Sequence, residues 1–391
     1  MHARGSGRRL HGEQRGDLQD LAAVRGASRP VSTGPTGERK DGPRGGPVAV
    51  EELVTLKHGA GGRAMRRLIE ATLAAGFSED GALEPESVGL AAMDDGAALR
   101  LGDRWLVVTT DSHVIHPVFF PGGDIGRLAV AGTVNDLAVM GAVEPMALTS
   151  AIIVEEGFRH ADLARLQGSM RETCAEAGVT VVTGDTKVMG RGEIDGVVIN
   201  TTGIGLTERV VPDCGLRPGD RLLVTGSIGD HGIALLARRH ELDFEGELVS
   251  DVAPINRLIA AALEASVGGI SAMKDPTRGG LASALHEMAE KSGVGITLHE
   301  PSIPVTPTVR SAAEMLGLDP LHIANEGKAI IGVRAERAEA VLAALRAHPL
   351  GREAAIVGAC SAEHPGRVVL DTGLGRRLVS EVEGEPLPRI C

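Results

Sequence analysis

Trp105-Leu106-Val107-Val108-Thr109-Thr110 is an apolar run that ends in polar residues, and this composition is typical of a β-strand. Further runs of the same kind alternate along the chain with apolar patterns of helical period. The predicted strands include 146–154, 179–183 and 197–202, and the predicted helices are 63–75, 124–140 and 161–177. The alternation predicts a mixed α/β fold for this half of the chain.

A second half of the same style follows the proline- and glycine-rich segment 207–220, which is typical of a connection between domains. Its predicted strands are 221–225, 294–299, 328–334 and 366–371, and its predicted helices are near 231–239, 254–266, 280–291 and 336–347. A chain of 391 residues exceeds what one core normally holds, so two domains are expected.

The predicted organisation has four parts. Residues 1–48 hold nine Lys or Arg against five Asp or Glu and lack aliphatic periodicity, so we expect a disordered extension. An N-terminal α/β domain at 49–208 and a C-terminal α/β domain at 209–372 follow. Residues 373–391 are expected to form a mobile tail that carries Cys391.

Charge and composition exclude several classes of protein. The formal charge is −12, and the chain has five Phe, one Trp and no Tyr, which disfavours a nucleic-acid partner. No apolar run reaches the length of a membrane span, and no signal peptide is recognisable. The four cysteines show no metal-binding or redox spacing, so a cytoplasmic location is expected.

The last residue is a cysteine. Glu385-Pro386-Leu387-Pro388-Arg389-Ile390-Cys391 has two prolines, which favour an extended conformation. At about 3.3 Å per residue, a tail of this length could reach across about 60 Å. The thiol could therefore visit two separate sites.

Acidic residues recur at predicted strand ends and loop turns. They are Asp94-Asp95, Asp111, Asp136 and Asp185, the last in Gly184-Asp185-Thr186-Lys187. Magnesium prefers oxygen ligands and is usually shared between carboxylates and substrate phosphates. Each acid alone could be a cap or a solvated turn, but four sets in one half favour a magnesium site.

Two glycine-rich segments could bind anions. Lys57-His58-Gly59-Ala60-Gly61-Gly62-Arg63 opens a predicted helix, and Lys274-Asp275-Pro276-Thr277-Arg278-Gly279-Gly280 opens another. Bare amides at a helix start suit a phosphate, although both segments could also be ordinary helix starts. No GxxxxGK[ST] motif and no well-placed GxGxxG motif occurs, so a common phosphate loop is excluded.

Together these motifs resemble the AIR synthetase (PurM-like) superfamily, and within it the HypE family of hydrogenase-maturation proteins. The resemblance covers about 54–391. Besides the segments above, it is carried by Phe120-Pro-Gly-Gly-Asp-Ile-Gly126, Thr133-Val-Asn-Asp-Leu137, Val182-Thr-Gly-Asp-Thr-Lys-Val188, Gly229-Asp-His-Gly232, Ala324-Asn-Glu-Gly-Lys328 and Pro388-Arg-Ile-Cys391. The terminal cysteine distinguishes this family from other members of the superfamily.

The resemblance implies an ATP-dependent carbamoyl dehydratase. The carbamoyltransferase HypF would carbamoylate Cys391, and dehydration with ATP would give a thiocyanate. The cyanide would then pass to iron on the HypC–HypD complex during [NiFe]-hydrogenase assembly. The resemblance also implies a homodimer of N-terminal domains, with the nucleotide sites formed across it.

The resemblance assigns roles to individual residues. Asp95, Asp111 and Asp136 would bind magnesium and lie at the phosphates, and Asp94 and Asp185 are further candidates for the same site. Lys187 and Glu326 would face the incoming Cys391, Lys187 to stabilise negative charge and Glu326 to remove amide protons. The residues expected at ATP or in the tail channel are Gly61, Gly62, Asp111, Asp136, Asp185, Asp275, Thr277 and Arg278.

Two other hypotheses remain open from the sequence. The first is a different PurM-like enzyme, such as a small-molecule kinase or an AIR or selenophosphate synthetase; the lack of cysteine between residues 1 and 173 disfavours the selenophosphate version. The second is a non-catalytic ATP-binding scaffold. The complete set of clustered acids disfavours it, because carboxylates repel one another unless a cation or proton relieves them.

Overall fold

The structure, a computed structural model, describes residues 53–59, 62–72, 76–77, 83–84, 86–242, 244, 246–381 and 390–391. The expected disordered extension at 1–48 lies outside these residues, as do Gly61 and most of the proline-containing end of the tail. Leu53–Cys391 form one compact unit. None of the described helices is long and apolar enough to cross a membrane.

The first half is built on a five-stranded sheet. Its strands are β1 (Ala97–Leu101), β2 (Arg104–His113), β5 (Pro145–Glu155), β6 (Val181–Met189) and β7 (Val197–Thr207), in the order β1-β2-β7-β5-β6. All neighbours are antiparallel except β5 and β6, which are parallel. The short strands β3 (Phe119–Phe120) and β4 (Gly123–Asp124) form a separate hairpin.

One face of this sheet is covered by helix α2 (Ile125–Val139), which contacts β2 and β7. Asp124 caps the helix, since its Oδ1 accepts hydrogen bonds from the amides of Gly126 and Arg127 at 2.8 and 3.0 Å. Helix α2 is apolar on almost every side because it also packs against helix α3 (His160–Ala177) and the second half of the molecule. Helix α1 (Arg63–Thr72) precedes this sheet in the chain.

The second half contains a seven-stranded sheet. Its strands are β8 (Arg221–Val224), β9 (Ile270–Lys274), β10 (Gly295–His299), β11 (Ile330–Val333), β12 (Ala355–Ser361), β13 (Val368–Asp371) and β14 (Arg376–Leu378), in the order β14-β13-β10-β12-β8-β11-β9. Its helices are α4 (Asp230–Arg239), α5 (Asn256–Ser266), α6 (Gly280–Ser292), α7 (Pro307–Leu316) and α8 (Ala338–Ala347).

The mixed α/β class and the elements predicted from the sequence are confirmed, and the structure adds helix α7 and the strands β1, β3, β4, β9, β12 and β14. The first sheet ends at Thr207 and the second begins at Arg221, on either side of the expected boundary at 208 and 209. Within the expected tail, Arg376–Leu378 form β14 against β13. The first part of the expected tail is therefore an edge strand of the second sheet.

Two acids do not lie at strand ends or turns as the sequence pattern predicted. Asp136 is inside helix α2, and Asp185 is in the middle of β6, which continues to Met189. The pattern was misleading at β6 because the glycine at 184 suggested a turn. In the structure Gly184 instead allows close strand pairing, since a Cβ there would lie 2.2 Å from the carbonyl oxygen of Ser150.

Candidate active site

Five acidic residues from separate elements face one another between the two sheets. Asp95 precedes β1, Asp111 is near the end of β2, Asp136 is on α2, Asp275 directly follows β9, and Glu326 precedes β11. Asp111 and Thr109 lie on the face of β2 that α2 covers, because strand residues two apart share a face. The Thr109 hydroxyl donates a hydrogen bond to Asp136 Oδ2 at 2.9 Å.

Burial and mutual repulsion dominate the electrostatics of this acid cluster. Burial raises the pKa of Asp136 well above its ordinary value, and the nearby carboxylates of Asp275 and Asp111 add to the rise. Burial likewise raises the pKa of Asp275 and of Glu326 well above their ordinary ranges, again with repulsion from neighbouring acids. The cluster therefore resists full ionisation unless a cation joins it.

Two carboxylate oxygens in the cluster are buried and have no hydrogen-bond partner within the part of the chain that the structure describes. They are Oδ2 of Asp95 and Oε1 of Glu326. Only 3 % of Glu326 is exposed. Buried carboxylate oxygens are costly without a partner, so both atoms suit a cation or a hydrogen-bonding substrate.

Lys274 holds one side of the cluster. Its Nζ lies 2.6 Å from Asp95 Oδ1 and 3.2 Å from Asp213 Oδ2. Burial lowers the pKa of Lys274, but the surrounding carboxylates outweigh burial and raise it well above its ordinary value. Lys274 is therefore a fixed positive charge that orients Asp95.

Asp94 has a different role from Asp95. Its two carboxylate oxygens accept hydrogen bonds from the amides of Asp95, at 2.9 Å, and Asp213, at 3.1 Å. Burial, followed by repulsion from Asp95 and Asp213, raises the pKa of Asp94 to about 7. These contacts join the two halves of the molecule and leave Asp95 as the residue directed toward the cluster.

A cavity of about 190 Å³ opens beside the acids, between the start of α1 and the start of α6. Its lining includes Gly62, Asp275, Thr277 and Arg278, four of the eight residues expected at ATP or in the tail channel, together with Asp95, expected at magnesium. Gly62 has φ of +77°, a left-handed conformation that favours glycine. Gly61 lies outside the described residues.

Arg278 also lines a second cavity, of about 630 Å³, which contains Cys391. His58, Ser112 and Val114 line this cavity too. The main-chain oxygen of Cys391 accepts a hydrogen bond from the amide of Val114 at 3.1 Å. The thiol-bearing residue and the glycine-rich cavity thus share one arginine, and Asp111 is the direct neighbour of Ser112.

Asp185 and Lys187 lie elsewhere on the molecule. Both are on the exposed edge strand β6, and Lys187 Nζ lies 2.8 Å from Asp185 Oδ2 with the two side chains 67 % and 61 % exposed. The pairing register β2-β7-β5-β6 sets three strand spacings, about 14 Å, between Asp111 and this part of β6. Within one chain, the structure does not bring these two residues to the acid cluster.

The fit of the acids to a metal ion is partial. No three His, Cys, Asp or Glu side chains among the described residues converge into a ready cation site. The orphaned Asp95 oxygen and the raised carboxyl pKa values nevertheless suit a divalent cation. Magnesium commonly completes its shell with substrate phosphates and water, so carboxylates that do not converge by themselves remain compatible with it.

Sequence reasoning assigned no role to three residues that organise this site: Lys274, Asp213 and Asp251. The sequence did offer a reason to consider Lys274, because it directly precedes Asp275 in the glycine-rich segment 274–280. Asp251 accepts a hydrogen bond from the Glu326 amide at 3.1 Å and lies 3.3 Å from Lys328. Neither Asp213 nor Asp251 belongs to a recognisable motif, so only the fold reveals them.

Comparisons with known proteins agree with this geometry. The model of AIR synthase related protein, N-terminal domain, matches residues 93–207, and the model of its C-terminal domain matches residues 217–371. A carbamoyl dehydratase HypE from Azotobacter vinelandii is 50 % identical over 341 residues, covering 86 % of this chain and 97 % of that protein.

Solved structures give the same result. A crystal structure of a HypE–HypF complex matches with a TM-score of 0.74 and 42 % identity, covering 81 % of this chain and 99 % of that one. A HypE structure in complex with ATP matches with a TM-score of 0.71 and 44 % identity, covering 87 % of this chain and 100 % of that one.

Proposed function

Because this chain belongs to the AIR synthase related proteins and, among them, to the HypE family, we infer that it is an ATP-dependent carbamoyl dehydratase of hydrogenase maturation. It binds ATP and has HypF as a partner. We propose that its substrate is a carbamoyl group carried on its own Cys391. The observation that supports this most directly is that Cys391 and the glycine-rich cavity share Arg278.

The chemistry requires the carbamoyl oxygen to become a leaving group. Transfer of the γ-phosphoryl group of ATP to the oxygen of the S-carbamoyl group, with loss of one N–H proton, gives a phosphorylated imidate and ADP. Loss of the second N–H proton and of phosphate then forms the carbon–nitrogen triple bond of a thiocyanate. Positioning and charge stabilisation supply most of the acceleration in phosphoryl transfer.

Glu326 is the residue that we propose to remove the amide protons. Its buried Oε1 lacks a partner within the described part of the chain, and its raised pKa makes the ionised form a stronger base. The positive charge of Arg278 favours that ionised form. Gly61, Gly62, Thr277 and Arg278 are proposed to contact the phosphates or the tail, together with Asp275 beside them.

Asp95, Asp111 and Asp136 are proposed to hold magnesium. The ion would neutralise the phosphates and the developing charge when bound. Independently of the ion, Lys274 fixes Asp95, and Thr109 fixes Asp136. These contacts keep carboxylate oxygens directed into the cleft.

We propose a homodimer in which the uncovered face of the first sheet packs against a second copy. Residues alternate between buried and half-buried along β7, and the half-buried positions lie on the face opposite α2. Asp185 and Lys187 project from this same face, since they pair in register with Ala151 and Ile153. A second copy would cover the exposed pair, and Lys187 could then act in a neighbouring site, with Asp185 near the nucleotide.

The cyanide acceptor is proposed to be the HypC–HypD complex, and the location is proposed to be the cytoplasm. None of the four cysteines, all of which are described, forms a disulfide bond. Unpaired thiols are usual in a reducing compartment.

The test of the proposed function replaces Cys391 with alanine. Cys391→Ala is expected to fold and bind ATP normally but to deliver no cyanide to the iron acceptor. Cys214→Ala, which removes an exposed thiol far along the chain from the tail, is the matched control and should retain activity. Cyanide delivery by Cys391→Ala would exclude Cys391 as the carrier.

A further inference from the structure

His231 lies in the segment Gly229-Asp230-His231-Gly232, to which the proposed reaction assigns no role. It is in the first turn of α4 and is fully buried. Its Nε2 lies 2.7 Å from the carbonyl oxygen of Ile390, and its Nδ1 lies 2.7 Å from Ser250 Oγ. A buried histidine thus contacts the residue that precedes Cys391.

The hydrogen-bond partners determine where the proton of His231 sits. A carbonyl oxygen can only accept, so Nε2 must carry the hydrogen and donate to Ile390. Burial lowers the pKa of His231, so the ring is neutral and Nδ1 accepts from the Ser250 hydroxyl. Ser250 Oγ in turn accepts from the Val252 amide at 3.1 Å. Every donor in this chain has a suitable acceptor.

The side chain of Ile390 has its own apolar site. Only 3 % of the residue is exposed, and it belongs to the same buried cluster as Phe120, Ile233 and Val252. The Phe120 ring meets the His231 ring edge-on, with centroids 5.5 Å apart. The site therefore recognises both the carbonyl and the side chain of the penultimate residue.

The segment that holds His231 also holds the proposed base. Asp251, the next residue after Ser250, accepts a hydrogen bond from the Glu326 amide at 3.1 Å. A Cβ at Gly327 would lie 2.0 Å from the Asp251 carbonyl oxygen, so the two segments are in close contact. Docking of the tail and placement of Glu326 thus depend on one short segment.

We propose that His231 is a positioning residue, which receives the Ile390 carbonyl so that Cys391 is held in the cavity beside Arg278 during dehydration. The effect of His231 on dehydration rests on the proposed function, whereas the binding of the Ile390 carbonyl by His231 does not. The assignment also gives residue 390 a specificity role, because a polar side chain there would lose the apolar site.

The test compares two substitutions of matched size. The amide nitrogen of glutamine reaches the place of Nε2, whereas that of asparagine reaches only the place of Nδ1. His231→Asn should therefore lose the bond to Ile390, and His231→Gln should restore most of it. The first readout is the rate of Cys391 alkylation by iodoacetamide, measured by peptide mass spectrometry with Cys214 as the internal reference.

His231→Asn is expected to raise the Cys391 alkylation rate about fivefold, as loss of one hydrogen bond implies, with no change at Cys214. The second readout is dehydration of pre-carbamoylated protein in a single turnover, which should slow by about the same factor, whereas carbamoyl transfer from HypF should not slow. Equal alkylation of Cys391 in His231→Asn and the wild type would overturn the proposal.

A tail variant keeps the test decisive if His231→Asn does not fold. Ile390→Ser leaves the body of the protein unchanged and should also speed alkylation and slow dehydration. Unchanged rates in Ile390→Ser would overturn the proposal. Failure of the wild type to form any thiocyanate would instead refute the proposed function, and the alkylation comparison would still decide whether His231 docks the tail.

Discussion

The acid cluster and the Asp185–Lys187 pair carry charges in opposite surroundings. The cluster of Asp95, Asp111, Asp136, Asp275 and Glu326 lies in the cleft, where burial and mutual repulsion raise several carboxyl pKa values. Hydrogen bonds, first that from the Lys187 side chain and then that from the Thr186 amide, lower the pKa of Asp185, which is exposed on β6. The same residue type therefore resists ionisation in one region and is readily ionised in the other.

This difference in burial distinguishes the residues that a single chain brings together from those that it leaves on its surface. The cluster and the Cys391 cavity are enclosed by the two halves of a single chain, so their chemistry is set by its fold. The exposed pair gains little from its own interaction because water and salt screen it. In the proposed homodimer a second copy would cover β6, and only such a surface would bring this pair into a site.

The largest expected effect comes from the lysine within the cluster. Lys274→Met leaves the buried carboxylate of Asp95 without its lysine, whereas Asp213 keeps Lys291 at 2.7 Å, and it should lower the free energy of unfolding by about 3 kcal/mol. Urea denaturation measures this loss. The matched control is Lys187→Met, the same substitution in the exposed pair. Equal free energies of unfolding in the two variants would show that the buried lysine contributes no more to stability than the exposed one.

Loss of a proposed magnesium ligand should affect the reaction almost as strongly. Asp111→Asn is expected to keep the carbamoyl adduct on Cys391 but to slow its dehydration about 100-fold, equivalent to ~3 kcal/mol. Single-turnover mass spectrometry follows the adduct. Asp103→Asn, on the exposed turn between β1 and β2, is the control. Normal thiocyanate formation by Asp111→Asn would remove the metal assignment.

Magnesium should stabilise the wild type, because it relieves the repulsion among the buried acids. At a concentration about 100 times its dissociation constant, the gain in the free energy of unfolding would be about 2.7 kcal/mol. Raised carboxyl pKa values mean that protons compete with the ion, so the gain should be smaller at pH 6 than at pH 8. Thermal unfolding with and without magnesium measures it, and a gain that grows on acidification would contradict this explanation.

The smallest expected effect on stability is that of Lys187→Met, within about 0.5 kcal/mol, since the pair is exposed. Dehydration should still slow about 100-fold if Lys187 stabilises developing charge in a neighbouring site. Lys187→Arg, which keeps the charge, should lose less. An unchanged dehydration rate in Lys187→Met would show that Lys187 does not act in the active site of a neighbouring copy.

Much of the fold could be predicted from local patterns. Strands β2, β5 and β7 and helix α3 have clear apolar patterns, helix α2 is a long and almost continuously apolar segment, and the acids of the cluster lie in recognisable motifs. Strands β9 and β12 were missed because they mix apolar residues with small or polar ones, as in Ile270–Lys274, and show no strict alternation. These segments are strands because they pair with strands far away in the sequence, β9 with β11 and β12 with β8 and β10.

The partners of the site residues could not be predicted in the same way. Asp213 and Asp251 are far along the chain from the acids that they position, and their roles depend on how the two sheets meet. His231 lies in a motif that the sequence analysis identified, but its contact with Ile390 spans 159 positions. Motifs thus located the chemistry, whereas the geometry that orients it required the structure.

The central claim is that Cys391 carries the group that is dehydrated. The most direct measurement is peptide mass spectrometry of the wild type after incubation with HypF, carbamoyl phosphate and ATP. We expect a carbamoyl adduct on Cys391 that then loses the mass of one water, and we expect this second step to be absent when a non-hydrolysable ATP analogue replaces ATP after carbamoylation. A protein that supports cyanide delivery while Cys391 never carries an adduct would contradict it.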